Sequence, residues 1–179
     1  MPGPGGILTV DVASRETGWA YDEVRGRAPV YGLWILPGTA DTGLLWASYR
    51  NVLTDHVQLL RPARVVFAIP LMMMHANSRA LIGLSVQTEV VCYDEGGILC
   101  NEVPESKARK EVLGRGSFAV YQNGKPIKGT GSERAKIAVG EWARERGWKP
   151  QTHDVADALC ILEYAKILDQ ARAQWGEAA

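Results

Sequence analysis

Residues 7–20 read ILTVDVASRETGWA, and this stretch decides how the rest of the chain is interpreted. Ile7, Leu8, Thr9 and Val10 favour an extended strand, and the strand carries Asp11 into the sheet before the turn residues Ala13 and Ser14 begin. Thr17-Gly18 then opens a second extended stretch over 17–23. A carboxylate at this point has an ordinary reading, as a turn-former at a strand end. Its position inside an apolar-leaning run also makes it a candidate for chemistry.

Working outward, 29–38 (PVYGLWILPG) is a third strand candidate and 42–60 a helix, with Leu45, Tyr49, Val52, Val57 and Leu60 as its apolar stripe. Residues 63–69 (ARVVFAI) form a strand with almost no alternation, as expected for one buried on both faces. A helix over 77–95, a strand over 97–103 and a short helix over 104–114 stopped by Gly114 follow. The glycine-rich stretch 115–132 reads as a mobile loop or small hairpin. Two helices close the chain, 132–147 with Ser132 as N-cap and 153–175. Three antiparallel-looking strands followed by alternating helix and strand predict an α/β fold, a mixed five-stranded sheet flanked by helices, in a single domain over 1–179.

The bulk composition agrees. The chain has 179 residues, 46% hydrophobic and 22% charged, enough for one packed core and too apolar for disorder. No apolar run reaches the roughly 18 residues that a membrane span needs. The start, MPGPGGILTV, has no basic region followed by an apolar one, so no secretory signal is expected. Cys92, Cys100 and Cys160 form no paired pattern and read as reduced thiols. The formal net charge is zero, but between Lys107 and Lys136 eight bases face only Glu111 and Glu133. A neutral total therefore conceals a basic segment suited to phosphate contacts, unless it is merely a solvated surface.

Near the C-terminus, THDVADALCIL places Asp154 and Asp157 three apart on a helix, on one face, with Val155, Leu159, Leu162 and Ala165 as a separate apolar stripe. Asp154 could simply cap that helix or favour its positive end. Brought beside Asp11, the two acids would hold like charges about 5 Å apart, costing roughly 3 kcal/mol per pair at an effective dielectric near 20. A divalent cation removes that cost, and hard oxygen ligands suit Mg²⁺ or Mn²⁺. Only His153 lies near these acids, which argues against zinc.

These residues carry a family resemblance. ILTVDVASRETGWA is similar to the first strand and turn of RuvC-type Holliday-junction resolvases, and DVADAL (154–159) to their C-terminal Asp-x-x-Asp-Ala-Leu helix. HANSRALIGLSVQTEVV (75–91) resembles the helix after their fourth strand. SKARKEVLGRG (106–116) and GSERAKIAV (131–139) resemble the basic segments of the phage-type branch. The similarity runs in order from Ile7 to about Ala165. It implies an RNase H-like nuclease domain, a homodimer, and a structure-selective endonuclease that resolves four-way or other branched DNA by metal-dependent phosphodiester hydrolysis. The lack of a membrane-length apolar run and the unpaired cysteines add the expectation of no membrane partner and a cytoplasmic location, in a bacterial cell or an infected host cell.

Site residues follow from the same resemblance. Asp11, Asp154 and Asp157 would be the catalytic and metal-binding acids, holding Mg²⁺ or Mn²⁺, as two ions where a fourth acid is present. The family places a glutamate on the fourth strand, and matching Phe67, Pro70 and Leu71 to that context puts Ala68 in its place. Three explanations stand open: an engineered change that blocks cleavage, a natural junction-binding protein without catalysis, or substitution by another acid, with Glu89 the candidate. Arg15, Met72, His75, Asn77, Lys107, Lys110, Lys125, Lys128 and Lys136 are the expected DNA contacts. Met72, Met73 and Met74 could wedge against unstacked bases or fill a dimer interface. An actin- or sugar-kinase-like ATPase also starts with a strand ending in Asp, but needs a second lobe with its own phosphate loop, which this chain is too short to supply.

Overall fold

A computed structural model of the chain describes residues 5–23, 27–68, 78–123, 125–127 and 129–176. The five sheet strands are β1 (Ile7–Asp11), β2 (Glu16–Asp22), β3 (Val30–Ile35), β4 (Arg64–Ala68) and β5 (Leu99–Val103), in the spatial order β3-β2-β1-β4-β5. β1 and β2 pair antiparallel, as do β2 and β3, whereas β1–β4 and β4–β5 are parallel. Every residue of β4 is buried, Val65 to Ala68 as their apolar run requires and Arg64 beside them. The mixed five-stranded sheet flanked by helices is the architecture expected from sequence.

The helices lie in two layers. α1 (Thr42–Leu60) and α2 (Ser78–Asp94) cover one face. Leu45, Tyr49, Leu53 and Val57 of α1 pack there with Leu8, Val10, Val65 and Phe67 of the sheet and Leu84 and Val91 of α2. The buried stripe of α1 thus runs through Leu53, while Val52 and Leu60 are only half-buried. α1 has well-formed ends: Asp41 accepts from the Gly43 and Leu44 N–H groups at 2.8 and 3.2 Å, and Arg61 closes it in the left-handed conformation. The other face is covered by α5 (His153–Gly176), with α3 (Glu105–Leu113) and α4 (Thr130–Glu145) packed beyond it. A small hairpin, β6 (Tyr121–Gln122) and β7 (Lys125–Pro126), interrupts the glycine-rich stretch.

α5 is more deeply enclosed than its Val155, Leu159, Leu162 and Ala165 stripe implies. Ala156, Ala158, Cys160, Ile161 and Tyr164 are buried as well, because the helix lies between the sheet and two further helices. Polar contacts lock it to the sheet along its length. Thr9 Oγ donates to the Ala158 carbonyl at 2.8 Å. Arg64 reaches from β4 to the Ala165 carbonyl at 3.2 Å and to Asp169 at 2.8 Å, and Lys166 pairs with Asp22 of β2.

Two start signals differ from expectation. α4 begins at Thr130 after Gly129, which adopts φ +84°, so Ser132 lies inside the helix rather than at its N-cap. The Thr130 hydroxyl instead donates to the Ile127 carbonyl at 2.8 Å. α5 is capped by Thr152, whose hydroxyl accepts from the Val155 N–H at 3.3 Å. Asp154 is thereby relieved of the capping role.

The first turn of α5 sits directly on β2 at Gly18. A Cβ added at Gly18 would lie 2.0 Å from the Asp154 carbonyl oxygen and 2.5 Å from the Val155 nitrogen, so only glycine admits this approach. Gly18 is also the register partner of Asp11. We expect Gly18→Ala to lower stability by about 1–3 kcal/mol through overpacking against immovable backbone. Urea denaturation would measure it, and a midpoint shift worth less than about 0.5 kcal/mol, the scale of a neutral surface change, would mean that α5 does not rest there.

Candidate active site

Asp11 ends β1, and the parallel register that pairs Val10 with Phe67 carries Ala68 to the same end of the sheet. Ala68 in turn pairs with Val103, the last residue of β5. The carboxyl ends of three parallel strands therefore converge, next to the point where β2 runs antiparallel to β1. Open α/β sheets place ligands at such a position. Thr17 firms up the neighbouring turn by donating to the Ala13 carbonyl at 2.9 Å and accepting from the Ala13 N–H at 3.3 Å.

A cleft of about 420 Å³ opens over these strand ends. Asp11, Asp154 and Asp157 all line it. Lining residues also come from α3 (Glu105 and Arg109), from the 115–132 stretch (Phe118 among them) and from α4 (Ala135 and Lys136). The glycine-rich stretch is thus part of the cleft wall. Ala68 is 3% exposed and belongs to the apolar cluster under α5, on the sheet face that also carries Thr9 and Asp11.

Two charged groups of the cleft, Glu105 and Arg109, were not among the site residues expected from sequence. Arg109 Nη2 lies 2.6 Å from Glu105 and 2.9 Å from Asp157, and Arg109 Nε lies 3.2 Å from the same Asp157 oxygen. Counted from sequence, Arg109 is one more base of a basic run, and here it faces inward. A sequence signal for Glu105 does exist: it follows the end of the strand beside β4 by two residues, and Pro104 turns the chain there into α3.

Burial raises the proton affinity of all three aspartates. Asp11 is held well above the usual carboxylate range by burial and then by Asp157, Glu105 and Asp154, against the opposing pull of Arg109. Asp157 is pushed up to about 6 by burial, with Arg109 pulling it down and Glu105 raising it. Asp154, half-buried, is raised by burial and held down in part by Lys136. For Arg109, burial works against the charged form, but Asp157 and Glu105 outweigh it and raise its affinity for the proton.

Other expected contacts are dispersed. Lys110, Lys125 and Arg15 are exposed, and Lys136 is half-buried at the cleft. Lys107, exposed on α3, faces a separate recess with Arg64 and Arg172. Met72, Met73, Met74, His75, Asn77 and Lys128 lie outside the described residues. Glu89 is exposed on α2, in the layer across the sheet, and does not line the cleft. His56 accepts from the Trp34 indole at 3.0 Å inside an aromatic cluster, a packing role. No helix among the described residues is long and apolar enough to cross a membrane.

No protein-family model matches the sequence, and no curated protein matches it. Solved structures do. The fold is similar to RuvC of Thermus thermophilus, with a TM-score of 0.68, 12% identity and coverage of 93% of this chain and 96% of that one. T. thermophilus RuvC in complex with Holliday junction substrate gives 0.66 and 12% over the same shares. The fowlpox virus Holliday junction resolvase gives 0.55 and 10%, over 91% of this chain and 99% of the other. At these identities the likeness is one of fold, and the fold is RNase H-like, as in RuvC.

The raised Asp157 fixes the sign of a pH effect. The folded state holds a proton on this carboxyl that the unfolded chain, near 3.8, releases earlier. Its contribution is complete below about pH 4 and is lost as pH rises through about 6. In buffer free of divalent cations, Asp157→Asn should flatten that decline in denaturant-measured stability. An identical slope in the variant would mean that Asp157 is not the titrating group.

Proposed function

We propose that this chain is a metal-dependent endonuclease that cuts four-way DNA junctions. The observation that carries the reading is the cleft at the strand ends, where two aspartates of α5 meet the buried Asp11 on a RuvC-like sheet. The resemblance of ILTVDVASRETGWA and DVADAL to the corresponding resolvase segments supports it, as does the RuvC-like fold over 93% of the chain. A neighbour of that fold is solved with a Holliday junction substrate.

As the side chains stand, no three acidic, imidazole or thiol groups among the described residues are gathered to ligate an ion, and Arg109 bridges two of the carboxylates, Glu105 and Asp157. The donor chemistry fits a hard cation nonetheless. All the candidate ligands are carboxylate oxygens, and no described residue donates a hydrogen bond to the Asp11 carboxylate, which is 7% exposed. Asp11, Asp154 and Asp157 would hold Mg²⁺ or Mn²⁺, which supplies an activated water and stabilisation of the leaving oxygen in phosphodiester hydrolysis. The protein's own groups do the positioning. Lys136 is set at the cleft to meet a phosphate, and Arg15, Lys110 and Lys125 offer exposed charge to the strands on either side. A homodimer would present two such clefts to the two halves of a junction, and the exposed Ile82, Val86 and Tyr93 on α2 offer it an apolar face.

The second reading, a junction-binding protein that does not cut, draws on Ala68 and on the Arg109 bridge, which neutralises part of the acid cluster without a metal. Cleavage of a labelled synthetic four-way junction in Mg²⁺ or Mn²⁺ separates the two. We expect paired, symmetric nicks, slowed at least a hundredfold by Asp157→Asn, about 2.7 kcal/mol of transition-state stabilisation. Binding should persist in that variant. A wild-type protein that binds junctions and never cuts them, but cuts as Ala68→Glu, would establish the non-catalytic reading.

Affinity should also depend steeply on salt. About six phosphate contacts per protomer give a log–log slope of roughly −5, which neutralising Lys125 and Lys128 together should flatten. An unchanged slope in the double variant would remove the hairpin from the DNA surface.

A further inference from the structure

We propose that Glu105, at the start of α3, is a metal ligand of the cleft and that Arg109 is the counter-charge that stands in for the cation in its absence. The inference rests on the reading of the cleft as a metal site and adds to it a residue from a different element. Three observations support it.

The first is topological. Asp11, Ala68 and Val103 end neighbouring strands, and the chain continues from Val103 through Pro104 directly into Glu105. A carboxylate thus arrives from the strand beside β4, at the strand end where Ala68 offers no polar group. The second is the unmet demand of Asp11. Its carboxylate is 7% exposed, lines the cleft and receives no hydrogen bond from a described residue. A buried carboxylate in that state calls for a cation or a proton.

The third is the shared guanidinium. A Glu–Arg pair at i, i+4 is ordinarily a surface feature worth a few tenths of a kcal/mol. Here the Arg109 side chain is 14% exposed and one of its nitrogens touches both Glu105 and Asp157. Two carboxylates within bonding distance of one positive nitrogen are placed to face one cation. The lining acids are Asp11, Glu105, Asp154 and Asp157, against Arg109 and Lys136, so the bridge leaves the cleft short of positive charge. A divalent ion that displaced Arg109 would make up that shortfall. Glu89 sits across the sheet and cannot take part.

Calorimetric titration of the full chain with Mn²⁺ tests the assignment without reference to cleavage, with circular dichroism confirming that each variant is folded. Glu105→Gln should weaken Mn²⁺ binding about tenfold or more, since even an outer-shell partner is commonly worth that much. Glu89→Gln should leave it unchanged. Arg109→Gln, which removes the competing charge, should tighten binding, and weaker or equal binding would overturn the stand-in role. If Asp157→Asn weakens Mn²⁺ binding while Glu105→Gln does not, Glu105 is no ligand and the metal reading of the cleft survives. If neither variant moves it, the metal reading itself falls. Should Glu105→Gln prove unfolded, Glu105→Asp answers the same question, because a shortened ligand must also weaken the ion's hold.

Discussion

The close contact between α5 and the sheet at Gly18 is the constraint on which the rest depends. Backbone touches backbone there, with no side chain between, so the first turn of a helix is held beside the end of β1. Helix side chains at positions 154 and 157 then share a cleft with a strand side chain at position 11. The approach is kept in register by the Thr9–Ala158 hydrogen bond and, further along, by Arg64 and Lys166. Thr152 takes over the capping of α5, which lets Asp154 turn toward the cleft instead of satisfying its own helix.

Burying acids together is costly, and the fold offsets the cost in two ways. Protonation is one: burial raises all three aspartates, so part of the repulsion is relieved by a bound proton. Arg109 is the other, reaching from the middle of α3 to Asp157 while staying paired to Glu105. On the proposed metal reading, a cation would satisfy the same carboxylates that a proton satisfies. The apolar cluster beneath it, with Ala68, Val155 and Leu159 buried, gives the charged groups a close-packed floor.

Much of this was legible in the chain. The unbroken run before Ala68 marks a strand buried on both faces, and the spacing of Asp154 and Asp157 places them on one helix face whatever that helix packs against. The burial of α5 on nearly every side was also written in the chain, since 155–165 is apolar almost all round, but a four-residue stripe describes only one of its covered faces. Glu105 and Arg109 were harder still. Their sequence context, a short charged helix beside a glycine-rich stretch, is that of a solvated surface, and only the packing of α3 against α5 turns both inward.

Strand-forming residues ending in Asp11, the Thr-Gly that follows, and the Asp-x-x-Asp helix are local patterns, set by propensity and by the periodicity of strands and helices. The sequence by itself therefore determined the α/β class, the mixed sheet and three candidate acids. Tertiary structure alone decided which other charges meet them, because burial and charge pairing depend on the distance between segments remote in sequence. It set Glu89 across the sheet, brought Glu105 to the cleft through the end of β5, and turned Arg109 from an external base into the internal partner of Asp157.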